Sequence, residues 1–199
     1  KLFVLEDAAQ GFGGKFMGNN AGSFGQIAST SFFPAKPLGC YGDGGAIFTD
    51  SNEIKEKVQS LRAHGKGKEK YQIVDIGLNS RLDTIQAAIL LAKLKIFDWE
   101  NAERNRLAKV YSTQITDNLK KPIVPFNTNS VWAQYTIVSS RRDKIIRFLN
   151  ENNIPTMIYY PIPMHRQPAY NNFFLRQGET VLNNSDFLAK EVFSIPIHA

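Results

Sequence analysis

The chain has 199 residues, 43% hydrophobic and 21% charged, an ordinary globular balance at a length that suits one domain or two small ones. A net charge of +6 and a pI near 9.4 raise nucleic acid as a partner, but the basic residues are spread along the chain without a DNA- or RNA-binding motif, so none is expected. No apolar run reaches the ~18 residues of a membrane-spanning helix, so a membrane is not an expected partner either.

Leu2 to Leu5 is a short apolar run that ends abruptly in Glu6 and Asp7. That is the pattern of a buried parallel strand delivering its C-terminal end to a site, and ligands sit at that edge of open α/β sheets. Asp7 has a second reading as a helix N-cap, because Ala8 and Ala9 follow it. Spacing alone does not separate the two. Gly11 to Gly25 holds six glycines and reads as a turn-rich loop or short hairpin. Ile27 to Phe33 alternates Ser or Thr with apolar residues and reads as a strand.

That strand runs into Ser31-Phe-Phe-Pro-Ala-Lys-Pro-Leu-Gly-Cys-Tyr-Gly-Asp-Gly-Gly-Ala46, the most informative stretch of the chain. Lys36 stands between two prolines, which fix φ and bias their predecessors toward extended geometry, so its loop is stiff and non-helical. Glycines at 39, 42, 44 and 45 permit close approach of backbone or ligand. A lysine held in this way sheds part of its hydration, which favours nucleophilic chemistry. The alternative is a solvated lysine on a turn. A constrained lysine together with an acid at a strand end is the pair a pyridoxal phosphate site needs. The lysine forms the Schiff base and the acid keeps the pyridinium nitrogen protonated. Cys40, the one cysteine, excludes an intramolecular disulfide and fits a reducing, cytoplasmic setting. It reads as a small filler in a tight loop.

Ala46 to Thr49 reads as a strand antiparallel to its neighbour. Ser51 or Asn52 caps a helix with Ile54, Val58 and Leu61 on its apolar face, ending near Gly65. The basic segment Arg62 to Lys70 reads as a solvated loop or as a lip that attracts an anionic ligand. Asp83 caps a helix in which Ile85, Ala88, Ile89, Ala92 and Leu94 to Phe97 form an almost wholly buried surface, against a second copy or against the core. Trp99 to Asn118 continues as an amphipathic helix, with Leu107, Val110, Tyr111 and Ile115 inward and Glu103, Arg104, Arg106 and Lys109 outward.

Composition shifts at Lys120-Lys-Pro-Ile-Val-Pro125, read as a linker between residues 1–119 and a small domain at 120–199. Within the latter, Val131 to Ser139 reads as a strand, Arg142 to Asn152 as a helix and Ile154 to Tyr159 as a second strand, a β-α-β unit. Tyr159 to Pro168 is a proline-stiffened loop, and Ser185 to Phe193 a last short helix. The chain opens without Met inside an apolar run and stops at Ile195-Pro-Ile-His-Ala199, so we read it as a fragment of a larger polypeptide.

The motifs EDAAQ at 6–10, SFFPAKPLG at 31–39 followed by GDGGAIFTD at 42–50, and NSRLDTIQAAIL at 79–90 resemble the DegT/DnrJ/EryC1/StrS family of sugar aminotransferases, over essentially the whole chain. The resemblance implies the fold-type I architecture of aspartate aminotransferase. That is an α/β large domain, with a mostly parallel sheet and helices on both faces, plus a small C-terminal α+β domain. It also implies pyridoxal 5′-phosphate, a homodimer with shared active sites, and a nucleotide-linked keto-sugar as acceptor with L-glutamate as donor. Under it, Lys36 is the Schiff-base lysine and Asp7 the partner of the pyridinium nitrogen. Gln10 approaches the ring hydroxyl and Ser31 binds the phosphate.

Asn79 would reach the phosphate of the other subunit and Arg81 its substrate pocket, although both also suit plain turn and capping roles. Tyr160 and His165 would come near the sugar, His165 having the alternative of a loop histidine bonded to backbone. The wording is most similar to enzymes of UDP-2-acetamido-3-oxo sugars for lipopolysaccharide or related glycans. A dTDP-3-oxo-6-deoxy or 4-oxo sugar is second. A dehydratase relative would carry histidine in place of Lys36. A non-catalytic module would have no need of Asp7, Ser31 and Lys36 together. Three scattered histidines and one cysteine form no credible metal site.

Overall fold

Strand β1 (Leu5–Asp7) is followed by a tight turn, in which Ala8 O accepts from the amides of Gly11 and Phe12, and no helix forms there. A hairpin of β2 (Lys15–Phe16) and β3 (Asn19–Asn20) comes next, as the glycine-rich stretch predicts. Strand β4 (Ile27–Ser31) then pairs parallel with β1, and β5 (Gly45–Phe48) pairs antiparallel with β4. The resulting sheet, β1-β4-β5, is more mixed than the mostly parallel sheet expected, with one pair of each kind. This computed structural model describes residues 2–116, 118–170 and 182–199. Among them no helix is long and apolar enough to cross a membrane.

The chain divides into two compact units, Lys1–Asn105 with Val124–Ala133 and Ala199, and Arg106–Ile123 with Gln134–His198. In the first unit, helix α1 (Asn52–Leu61) starts at Ser51, whose hydroxyl accepts the Ile54 amide at 3.3 Å. Ile54, Val58 and Leu61 are half-buried as the spacing predicts. The basic segment is no open loop. Residues 62–67 run back against 72–80 through His64 N–H to Leu78 O, Val74 N–H to Gly65 O and Ser80 N–H to Arg62 O, with the Lys57–Asp75 ion pair beside them.

Helix α2 (Thr84–Leu94) begins after Asp83, which occupies the N-cap position but makes no side-chain cap bond. Its expected burial is only partly realised. Leu90 is buried, whereas Ile85 and Leu91 are exposed, because the core reaches α2 along one stripe alone. Helix α3 (Phe97–Gln114) starts two residues earlier than predicted and ends sooner, with Phe97 buried and Trp99 largely exposed. Arg104, expected outward, is half-buried beside Glu100.

The core of the first unit is Phe32, Leu38, Cys40, Leu90 and Phe97, with Phe12, Ala46 and Leu82 packed against it. Phe12 stacks on Phe48 and meets Phe32 edge to face. Burying each large apolar side chain here contributes roughly 1.5–3 kcal/mol. Three of the five core residues belong to the loop that carries Lys36. Strand β6 (Thr128–Asn129) returns to pair with β2, and Asn105 ties it down by donating to Ser130 O and accepting from Trp132 Nε1.

In the second unit, β7 (Tyr135–Val138) leads to helix α4 (Arg142–Glu151), with Ile145, Ile146 and Leu149 half-buried as expected. The expected β-α-β unit is not formed. The partner of β7 is β8 (Val192–Ile195), antiparallel, directly after helix α5 (Asn183–Glu191). Residues 154–159 contribute one bridge, Met157 to Ser194 on the other side of β8, because Pro155 cannot donate to a ladder. The predicted helix across 185–193 accordingly stops at Glu191. Val192 and Phe193 are buried in β8, and Pro196 follows that strand. Tyr135, fully buried, bonds Ser112 at 2.9 Å and packs against Tyr111, whose hydroxyl donates to Pro196 O.

Candidate active site

Parallel pairing places the C-terminal ends of β1 and β4 side by side. Asp7 lies opposite Ser29, so Asp7, Ser29 and Ser31 share one sheet face. Asp7 Oδ1 accepts the Ala9 amide at 2.9 Å, an Asx-type turn, and among the described residues Oδ2 has no hydrogen-bond partner. The N-cap reading of Asp7 therefore fails for want of a helix, while its place at a strand end stands. On the opposite face, Glu6 is consumed structurally, accepting from the amides of Gly22 and Phe24. Ser31 Oγ accepts the Phe33 amide at 3.2 Å, which leaves its hydroxyl proton to donate. Gln10 is exposed on the turn after β1.

Lys36 stands five residues beyond Ser31, half-buried in a loop closed on itself. Its amide donates to Phe33 O at 2.8 Å. Phe32 N–H reaches Gly44 O and Cys40 N–H reaches Phe32 O, both at 2.8 Å. Cys40 has no exposed surface, and its Sγ lies 3.0 Å from both Phe32 O and Gly42 O, so it is a structural thiol. Gly39 is required here, since a Cβ at that position would sit 2.5 Å from Pro34 O. The sequence pointed to this loop through its prolines and glycines. It did not point to Gln86 and Lys93 of α2, which also bond to it. Their signal is the i, i+4, i+7 spacing of Gln86, Leu90 and Lys93, concealed in a helix that is apolar on most sides.

Asn79 and Arg81 meet the return side of that loop, Asp43 to Gly45, at a cleft. Both are exposed and line this cleft of about 1030 Å³ with Asp43, Lys55, Arg62 and Ser80, floored by Ser29 and Ile47 on the sheet face of Asp7. Asn79 is bridged to Ala63, which anchors it in the paired basic segment. Tyr160 and His165 belong to the second unit. Tyr160 is exposed. His165 has a nearly buried side chain, with Nε2 3.2 Å from Asp186 Oδ1, so its partner is a carboxylate of α5. Arg166 also grips Asp186, at 2.8 and 3.2 Å, and its guanidinium lowers the carboxyl pKa, with His165 adding to the effect.

The donors at the β1–β4 edge fit a phosphorylated pyridine aldehyde. A carboxylate with one free oxygen suits a pyridinium N–H, a hydroxyl with its proton to give suits a phosphate, and a half-buried primary amine suits a carbonyl.

A half-buried lysine in a closed loop just beyond a parallel strand pair, with a carboxylate and a hydroxyl at the strand ends, suits the class of lysine-dependent α/β enzymes. The chain belongs to the DegT/DnrJ/EryC1/StrS aminotransferase family, whose model matches residues 1–199. It is 41% identical over 196 residues to the UDP-2-acetamido-2-deoxy-3-oxo-D-glucuronate aminotransferase of Pseudomonas aeruginosa, covering 98% of this chain and 53% of that one. A DegT DnrJ EryC1 StrS aminotransferase from Brucella abortus superposes with a TM-score of 0.92 at 45% identity, covering 98% and 52% of the two chains. A Bacillus subtilis structure with bound cofactor PMP superposes with a TM-score of 0.85 at 30% identity, covering 99% and 46%. The chain thus spans about half the length of the relatives it matches.

Proposed function

We propose that this chain is the lysine-bearing part of a pyridoxal 5′-phosphate-dependent aminotransferase that moves an amino group from L-glutamate to a nucleotide-linked keto-sugar. The observation that carries the reading is the meeting of Asp7 and Ser31 on one sheet face, directly before the closed loop of Lys36. When bound, the cofactor supplies an aldehyde carbonyl and a ring that accepts electrons.

Each residue then has a separate task. Asp7 keeps a proton on the ring nitrogen through its free oxygen, and the Ser31 hydroxyl donates to the phosphate. Gln10 would approach the ring hydroxyl. Lys36 Nζ would hold the cofactor through its aldehyde carbon, and once freed by the amino donor would serve as general base and acid, taking the proton from the donor Cα and delivering it to that former aldehyde carbon. Asn79 and Arg81 serve the site of a second copy, Asn79 at the phosphate and Arg81 at the substrate. That assignment makes the enzyme a homodimer with shared sites. The exposed apolar residues Ile85 and Leu91 of α2 are consistent with a surface that a second copy covers. On the second unit, exposed Tyr160 is the residue we assign to sugar contact, and His165 is held beside Asp186.

For the acceptor we favour a UDP-linked 2-acetamido-3-oxo sugar used in surface glycan synthesis, on the strength of the Pseudomonas relative. Two experiments test these readings. Borohydride reduction of the intact protein with pyridoxal phosphate, followed by peptide mapping, should leave the pyridoxyl group on Lys36. An adduct on another lysine sinks the assignment. Incubation with 2-oxoglutarate and a panel of UDP- and dTDP-linked 3-amino and 4-amino sugars should release glutamate from the UDP-3-amino sugar. Release from a 4-amino sugar alone rules out the acceptor.

A further inference from the structure

The Lys36 loop has unequal sides. Pro34 and Pro37 stiffen the approach covalently, whereas the return through Gly39, Gly42, Gly44 and Gly45 has little stiffness of its own. Helix α2 meets that softer side with one stripe of residues. Lys93 Nζ donates to Gly39 O at 2.6 Å and lies 5.7 Å from the centroid of the Tyr41 ring. Gln86, two turns earlier on the same face, accepts the Tyr41 amide through Oε1 at 2.8 Å. Its Nε2 lies 3.1 Å from where a Cβ on Gly42 would stand. Between them Leu90 packs in the core with Leu38 and Cys40.

Both polar contacts go to loop backbone, so they hold main-chain position whatever the loop side chains are. The lysine bond is charge-assisted and half-buried, the stronger and less screened kind. A helix-dipole role for a cation in the last turn of α2 accounts for the charge of Lys93 but not for its contact with Gly39. Nor does that role involve Gln86 at the other end of the helix.

We propose that Gln86 and Lys93 are positioning residues for Lys36. They clamp residues 39–42 onto α2, so that the proline-stiffened arm has a fixed anchor and the amine keeps one orientation toward the cofactor aldehyde. The proposal rests on the reading of Lys36 as the cofactor-bearing lysine. It extends the working machinery to a helix some fifty residues downstream.

The test uses Gln86→Leu, Lys93→Met and the conservative Lys93→Arg in the intact protein. Without cofactor, amide hydrogen exchange at residues 39–42 should quicken about tenfold in the first two variants and return toward wild type in Lys93→Arg. Exchange in β4 and β5 should not change. At limiting pyridoxal phosphate, the share of Lys36 trapped by borohydride should fall several-fold in Gln86→Leu and Lys93→Met. Unchanged exchange at 39–42, or faster exchange throughout the sheet, overturns the proposal. A wild-type protein without any Lys36 adduct overturns the functional reading and this proposal with it. A wild-type adduct that both variants match overturns this proposal alone.

Discussion

Asp7 of β1 stands opposite Ser29 of β4 in parallel register, so Ser31 falls on the same sheet face one side-chain period further along. Neighbouring strands run about 4.8 Å apart and two residues advance a strand by about 6.6 Å. A carboxylate and a hydroxyl are thereby offset diagonally at one edge, with no fitting beyond strand pairing. A one-residue slip of β1 would turn Asp7 to the opposite face and bring Glu6 round in its place.

If each site borrows Asn79 from a second copy, two crippled proteins should repair one another. Asn79→Ala should weaken cofactor binding about tenfold, the scale of one lost hydrogen bond to a charged group, without unfolding the exposed segment that carries it. Mixed with Lys36→Ala, it should regain up to about a quarter of wild-type activity, since one of the two sites in a hybrid dimer carries neither lesion. Verified mixed dimers that stay inactive would count against shared sites.

Gly39→Ala should destabilise the fold by about 1–3 kcal/mol, because the new methyl meets Pro34 O at 2.5 Å and Phe33 O at 2.8 Å and the packed loop has no slack to move. Urea denaturation reads the loss. Gly18→Ala is the control for methyl addition at an open site, since a Cβ there meets nothing within 4 Å. Its positive φ of 82° still carries a smaller backbone cost. Equal midpoints for the two variants would mean that the loop is looser than its contacts imply.

Asp186 gives a pH prediction in the second unit. Its carboxyl is held below the ordinary value of 3.8 by Arg166, with His165 contributing, so its ionised form favours the folded state. That contribution is present above pH 3.8 and fades as pH falls through the lowered folded pKa. Asp186→Asn should therefore be less stable than wild type near neutrality and should lose less on going to acid. Denaturation midpoints measured at pH 7 and pH 3 test this. Parallel shifts in both proteins would mean that Asp186 contributes nothing through its charge.

The legible parts of the chain are those whose cause is local. Prolines beside Lys36 and glycines after it foretold a stiff loop, Ser51 foretold the start of α1, and the glycine-rich stretch foretold the β2–β3 hairpin. The illegible parts depend on distant partners. The pairing of β7 with β8 joins residues more than fifty apart, and the run 154–159 reads as a strand on its apolar residues although Pro155 removes a donor from it. The wholesale burial read into α2 failed for the complementary reason. An apolar helix records that it needs cover, but among the described residues of α2 burial is complete at Leu90 alone. Within the candidate site, Asp7, Ser31 and Lys36 were visible as residue types in order. His165 was visible as a histidine but its partner Asp186, twenty-one residues on, was not.

Phe32, Leu38 and Cys40 serve the loop and the core at once, packed with Leu90 and Phe97. A substitution at any of these positions therefore disturbs the Lys36 loop and the core together. Anyone transplanting this lysine loop into another scaffold would have to carry the face of α2 with it, or supply an apolar side chain, an amide and a cation in the places of Leu90, Gln86 and Lys93. The reverse also holds: a stabilising redesign of that core would retune the amine without touching it.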